Sequence, residues 1–349
     1  MKIIDNAKNS DVELAIINDT LAQIALSGIS ITSIWVANFL VALKSKPLIL
    51  LTGPTESAKE TLVNCFSNIL TMGNFYQYQT MMGHPWWASH TSDVVTYTRT
   101  QSRFNTLKLE SIIEEASLPQ NRGRYFIAEL IKISPGELEE YFSETAFQLQ
   151  HKELMRLPTS HFSEPIPFPP NLSIVGTIDT INFNRLDRDL LSQATILDCY
   201  PVKPISGLPS ENFSPNTFNE KSLLHSSIRD PQQAFWKLSK ILVRFSSGLL
   251  PFLQVKQVLQ EFRSVRSDNS IFEGIVYLAN SWSYTGEGLF DRDSRINLQI
   301  ALDLAISQSL LLPQSEKIAK SINLQKRLHK ILDSEFPQAS TYLNQLNPA

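Results

Sequence analysis

Cysteine is almost missing from this chain. Cys65 and Cys199 are its only two in 349 residues, and they lie far apart with no CxxC spacing. That excludes a disulfide framework and argues against a zinc site. An excess of positive charge is missing too: 31 basic residues face 34 acidic ones, for a net charge of -3. No overall basic field draws the chain to DNA or to an anionic membrane. The short basic clusters, Arg122 with Arg124 and the run Lys326, Arg327, His329, Lys330, read as solvated helix faces. His84, His90, His151 and His161 show neither metal-ligand spacing nor a nucleophile to serve, so no metal site is expected from them. The opening MKIIDNAKNSDVE lacks the apolar run of a signal peptide, and a cytoplasmic protein is expected. Internal repeats and low-complexity tracts are not seen.

A hydrophobic fraction of 42% against 19% charged residues permits a substantial core, and the length suits two domains or one with an appendage. Leu21 to Leu43 carries no charge and is long enough to cross a bilayer. Gln23, Ser27, Gly28, Ser30, Thr32, Ser33 and Asn38 interrupt it, however. From Ile31 onward, Ile34, Trp35, Phe39, Leu40 and Leu43 fall at helical spacing. A partly buried helix beside the next strand is expected, with no membrane span.

Residues 34–200 alternate short apolar runs with helical patterns, the rhythm of an α/β domain with a parallel sheet. Five strands are expected: Leu48–Thr52, Phe75–Gln79, Tyr125–Ala128, Leu172–Gly176 and Thr195–Tyr200. Glu60–Leu70 and Leu107–Ala116 read as helices between them. LILL, YFIA and LSIVG are almost continuously apolar, as strands covered on both faces should be. Two proline-rich stretches, 157–171 and 201–220, read as an extended arm and a linker. Beyond them Asp230 as N-cap and Pro231 at the first helical position open an all-helical region, with helices near 254–264, 270–282, 296–312 and 315–333. The expected organisation is an N-terminal helical segment (1–30), an α/β core (31–205), a linker (206–229) and a helical domain (230–349).

The stretch with chemical promise is PLILLTGPTESAKETLV, residues 47–63. A phosphate-binding loop needs G-x-x-x-x-G-K-[ST] between strand and helix, so that backbone N–H groups cradle phosphates, lysine neutralises them and a hydroxyl meets magnesium. Gly53 and Lys59 hold their places. Ala58 replaces the second glycine, where a positive φ costs about 1 kcal/mol. Glu60 replaces the hydroxyl, Thr61 offers one a residue late, and Glu56 adds a second carboxylate to the loop. The same stretch is also what a strand-to-helix turn in an unrelated α/β protein would look like.

Further segments, in order along the chain, resemble those of AAA+ ATPases of the McrB-like branch. NFLVALKSKPLILLTGPTESAKETL is similar to that branch's helix, first strand and Walker A loop, and HPWWASHTSDVVTY to its tryptophan-containing segment. RYFIAELIKISPGELEEYFSE resembles the Walker B strand with its glutamate-rich helix, and PPNLSIVGTIDTINFNRLDRDLLSQATIL the sensor-1 strand. ALDLAISQSLLLPQ and SEFPQASTYLNQL resemble parts of the helical lid. The resemblance implies a P-loop NTPase fold, a parallel sheet of about five strands with a C-terminal helical lid. It implies Glu129 as the residual water-activating Walker B carboxylate, with Ala128 where the metal-holding aspartate would stand and Ile131 where asparagine is common. Asp179 falls at the sensor-1 position, where asparagine is usual. Gln193 takes the place of the arginine finger, with Arg185 and Arg188 close by.

So many altered positions imply lost turnover, because phosphoryl transfer is catalysed by positioning and charge neutralisation. The expected function is a pseudo-ATPase with a structural or regulatory role in a restriction or defence-type assembly, binding ATP or GTP weakly at most. Its expected partners are an AAA+ paralogue or further copies of itself in a ring, and a nuclease subunit, with nucleic acid reached through the assembly. Two alternatives stay open. One is an active hydrolase in which Glu60 and Glu129 together hold magnesium. The other is a protein- or nucleic-acid-binding module that uses no nucleotide. Bland readings accompany each residue: Lys59 as a solvent-facing helix residue, Glu129 paired with Arg124, Trp86 and Trp87 as core anchors, Asp93 and Asp187 as caps.

Overall fold

A computed structural model describes residues 11–54, 58–82, 108–133, 154–155, 166–179, 194–199, 203–204, 220–243, 248–262, 269–332 and 335–346. Helix α1 (Val12–Leu26) is capped by Asp11, whose carboxylate accepts from the backbone N–H groups of Glu13 and Leu14. It ends near Gly28 at φ 78°, and a two-residue strand, Ile29–Ser30, leads to α2 (Ser33–Ser45). The charge-free stretch is therefore broken by a turn. Residues Val36 to Ser45 of α2 are all buried, so its apolar composition serves a core helix. Ser294–Ala319 is the one described stretch long and apolar enough to cross a bilayer, and most of it lies inside the protein.

The core is a five-stranded, all-parallel sheet with helices packed around it. Its strands are β1 (Leu48–Thr52), β2 (Tyr78–Met82), β3 (Phe126–Ile131), β4 (Leu172–Ile178) and β5 (Thr195–Asp198), in the spatial order β2-β3-β4-β1-β5. Both faces of the sheet are covered, which is why the strands read as apolar runs without alternation. Ile49, Leu51, Ile127, Val175 and Leu197 face α1, α2 and α3 (Lys59–Thr71). Leu48, Leu50, Phe126, Ala128, Ile174 and Ile196 face the opposite way, toward Leu109, Ile112, Ile113 and Ala116 of α4, whose described residues are 108–117.

The second strand lies three residues later than its aromatic content suggested. Phe75 and Tyr76 belong to a turn in which the Asn74 side chain accepts from the Tyr76 N–H and its carbonyl accepts from Gln77 and Tyr78. Both rings are exposed, and β-propensity misplaced them because it measures fit to a half-buried surface.

The C-terminal residues form α5 (Glu220–Ser226), α6 (Pro231–Leu242), α7 (Leu250–Glu261), α8 (Asn269–Asn280) and α9 (Ser294–Ala305). A π-helical turn (Ile306–Leu311) and a 3-10 turn holding Pro313 follow, then α10 (Ser315–Ala319), α11 (Ile322–Leu332) and α12 (Pro337–Gln345). Asp230 caps α6 by accepting from the Gln233 N–H, with Pro231 in the first turn. The Asp303 carboxylate of α9 accepts from the N–H groups of Gln338 and Ala339, satisfying the start of α12 from another helix. One continuous apolar cluster runs from Ile16 and Leu51 to Val276, Leu310 and Leu343, so these helices and the sheet share a core.

A buried ion pair sits at that junction. Lys44 of α2 bonds Glu13 of α1, and both side chains are almost fully enclosed. Lys44 also donates to the carbonyls of Asn280 (3.2 Å) and Trp282 (3.4 Å). Glu13 accepts from Ser226 Oγ (3.0 Å) and from the Tyr284 N–H (2.6 Å). Removing one partner of such a pair leaves an uncompensated buried charge. Glu13→Ala is expected to lower unfolding free energy by about 3–5 kcal/mol in urea titrations. The apolar double replacement Glu13→Leu with Lys44→Met should cost clearly less than that single change.

Candidate functional site at the C-terminal edge of the sheet

In open parallel sheets, ligands bind in the crevice beyond the carboxyl ends of the strands, where the order reverses. β1 sits between β4 and β5, and its continuation, Gly53, lies against the end of β5. Gly53 has φ 137°, and a Cβ there would stand 2.1 Å from the Cys199 carbonyl oxygen. Glycine is thus demanded by close backbone approach as well as by conformation. Ala58, directly before α3, takes a left-handed conformation (φ 55°, ψ 29°). It keeps the backbone a glycine would favour, although alanine adopts it at a cost.

Lys59 is buried at the start of α3, not solvent-facing, and folds back onto its own loop. Nζ donates to the carbonyls of Gly53 and of Pro54 (2.9 Å), and lies 3.6 Å from Asp179 Oδ1 just beyond β4. Two segments distant in sequence, the loop after β1 and the end of β4, therefore meet around one ammonium group. Glu60 and Thr61 follow, each partly buried in the first turn of α3.

Glu129 is placed differently from its expected position at a strand end. β3 continues through Leu130 and Ile131, so Glu129 lies within the strand, opposite Thr80 on one side and Val175 on the other. Its carboxylate accepts from the Tyr78 hydroxyl, and Tyr78, not Arg124, is its partner. Its Oε1 is buried without a hydrogen-bond partner. Burial is the main cause that pushes the Glu129 carboxyl up to about 7; the Tyr78 bond opposes this, and the nearby charge of Glu60 adds to it. Alternation along β3 puts Ala128 on the other face, in the apolar layer with Leu130. An aspartate at 128 would enter that layer, so it is Glu129 that shares the α3 side with Glu60. Ile131 closes β3, and the chain beyond is stitched to β4: the Lys132 N–H donates to Thr177 Oγ1 and the Ile133 N–H to the Thr177 carbonyl.

Two contributors carried no signal in the sequence. Tyr78 opens β2 and was assigned only to a strand, while Cys199 gives the loop a backbone wall. Both cysteines are free and buried, and burial raises both thiols above the usual range. Among the described residues no group of three or more His, Cys, Asp or Glu could hold a metal ion. Glu56, Trp86, Trp87, Asp93, Arg185, Asp187, Arg188 and Gln193 lie outside the described residues, as do His84, His90, His151 and His161. No protein-family model matches the chain, and no curated protein matches it. The protein has an α/β fold whose parallel sheet carries this cluster at one edge.

Two outcomes follow from this geometry. Ala58→Gly relieves a left-handed alanine and is expected to stabilise the protein by about 1 kcal/mol, read by chemical denaturation. The Glu129 carboxyl holds its proton in the folded state to about pH 7, against an ordinary 4.5. The unfolded chain therefore releases that proton first, and stability falls as pH rises through this window. Glu129→Gln should match the parent near pH 4 and exceed it above pH 7 by roughly 3 kcal/mol or less, measured by denaturation across pH.

Proposed function

We propose that this chain is a pseudo-ATPase: an AAA+-type module of the McrB-like branch that keeps a nucleotide-site scaffold and has lost turnover. It acts as a cytoplasmic structural or regulatory subunit of a restriction or defence-type assembly, alongside an AAA+ paralogue or copies of itself, and a nuclease subunit. The C-terminal helices serve as the lid. The observation that carries this reading is the meeting of Gly53, Lys59 and Asp179 at the edge of a parallel sheet, with a left-handed residue at 58. The inactivity follows from charge. Lys59 is already bonded to oxygens of the protein, and Glu60 and Asp179 bring carboxylates where a triphosphate would place its own negative charge.

One observation favours an active site with atypical ligands, the buried and unpartnered Oε1 of Glu129 beside Glu60. That donor pair fits a hard divalent cation, which takes carboxylate oxygens readily. Glu60 and Glu129 would hold it, and it would neutralise them and phosphate oxygens together.

Isothermal titration of the full chain with ATP and GTP, with a phosphate-release assay, tests both readings. Weak binding that is lost in Lys59→Met, with phosphate release at background, is the expected result. Rapid Lys59-dependent hydrolysis would overturn it, and a magnesium-induced rise in melting temperature that disappears in Glu129→Gln would favour the second reading. Absence of any nucleotide binding would leave a module that works without nucleotide.

A further inference from the structure

Asp179 is the one carboxylate seen to pair with Lys59 among the described residues, and the two differ sharply in exposure. The lysine side chain is 4% accessible and the aspartate 45%. Two of the contacts at Nζ, to the carbonyls of Gly53 and Pro54, come from the loop's own backbone. The third joins opposite charges carried by different strands' exits, the β1 loop and the end of β4. Nζ thus spends two of its three protons on the loop carbonyls and faces the Asp179 carboxylate as an ion pair at 3.6 Å.

We propose that the Asp179–Lys59 contact is autoinhibitory: the carboxylate stands as an internal anion in place of a phosphate group, and an oxyanion reaches Lys59 only by displacing it. This rests on the reading of residues 53–60 as a phosphate-type loop. The physical case is a competition. A phosphate oxygen approaching Nζ has to break the ion pair and then stay beside the displaced negative charge, so Asp179 opposes it twice. Asparagine at 179 keeps the shape and one acceptor oxygen while removing both penalties. The aspartate end is open to solvent and Nζ keeps both carbonyl partners when the carboxylate is removed, so the pair is expected to add little to folding stability, under about 1 kcal/mol. Its removal should thus leave the fold nearly as stable, while anion affinity changes.

The test is calorimetric titration of the full chain with inorganic tripolyphosphate in the absence of divalent metal. The proteins compared are the parent, Asp179→Asn and the double variant Asp179→Asn with Lys59→Met, each checked by thermal melting. Asp179→Asn should bind at least about tenfold more tightly than the parent, and the double variant should lose that gain. Equal affinity of parent and Asp179→Asn, with binding that still needs Lys59, would overturn the autoinhibitory contact while leaving the phosphate-type loop in place. Failure of both to bind tripolyphosphate would overturn the autoinhibitory contact and the loop reading together, and a lowered melting temperature for Asp179→Asn would then assign the pair a structural role. If Asp179→Asn does not fold, Asp179→Ser supplies the same charge removal and is judged by the same outcomes.

Discussion

The buried bond between Lys44 and Glu13 is the tie on which the rest of the architecture rests. It joins α1 to α2 and, through the carbonyls of Asn280 and Trp282, fastens both to the end of α8. A charge this deeply enclosed is tolerable only if every proton and lone pair has a partner, and four separate segments supply them here. Asn280 adds to the junction by pairing with both the N–H and the carbonyl of Ile228. α2 leads directly into β1, so these bonds also fix where the first strand enters the sheet.

The candidate site inherits its position from that entry. Because β1 lies between β4 and β5, the loop leaving it meets residues that follow two other strands. Gly53 is pressed against Cys199, and Lys59 reaches Asp179. The result is a self-contained cluster: a lysine satisfied by the protein's own oxygens, a left-handed alanine holding the turn, and a buried glutamate that feels the charge of a second one. Strained or under-satisfied groups such as Ala58 and Glu129 Oε1 are expected where structure has been shaped by function.

Much of the fold was legible because its signals are local. Unbroken apolar runs located β1, β3 and β4, and an aspartate-proline pair located the start of α6. Where a local signal competed with a turn it misled. The aromatic pair Phe75–Tyr76 drew the second strand forward, although Asn74 closes a turn there. The continuous pattern at 296–312 concealed a π-helical turn, and that at 315–333 concealed a break before Ile322. The Glu129 environment was misjudged for a simple reason. Sequence alone does not say how far a strand continues, nor which side chain of the neighbouring strand will stand within reach.

By itself, the sequence determined which residue types the loop after β1 would offer and that a parallel sheet would be built from strands covered on both faces. Periodicity and composition act over a few residues, and those properties are equally short-ranged. Only the tertiary structure decided that Lys59 is buried and ion-paired with Asp179, that Glu129 pairs with Tyr78, and that Ala128 faces away from the cluster. Those facts depend on strand order and on the twofold alternation of side chains across the sheet. They exist only once segments far apart in the chain have been brought side by side.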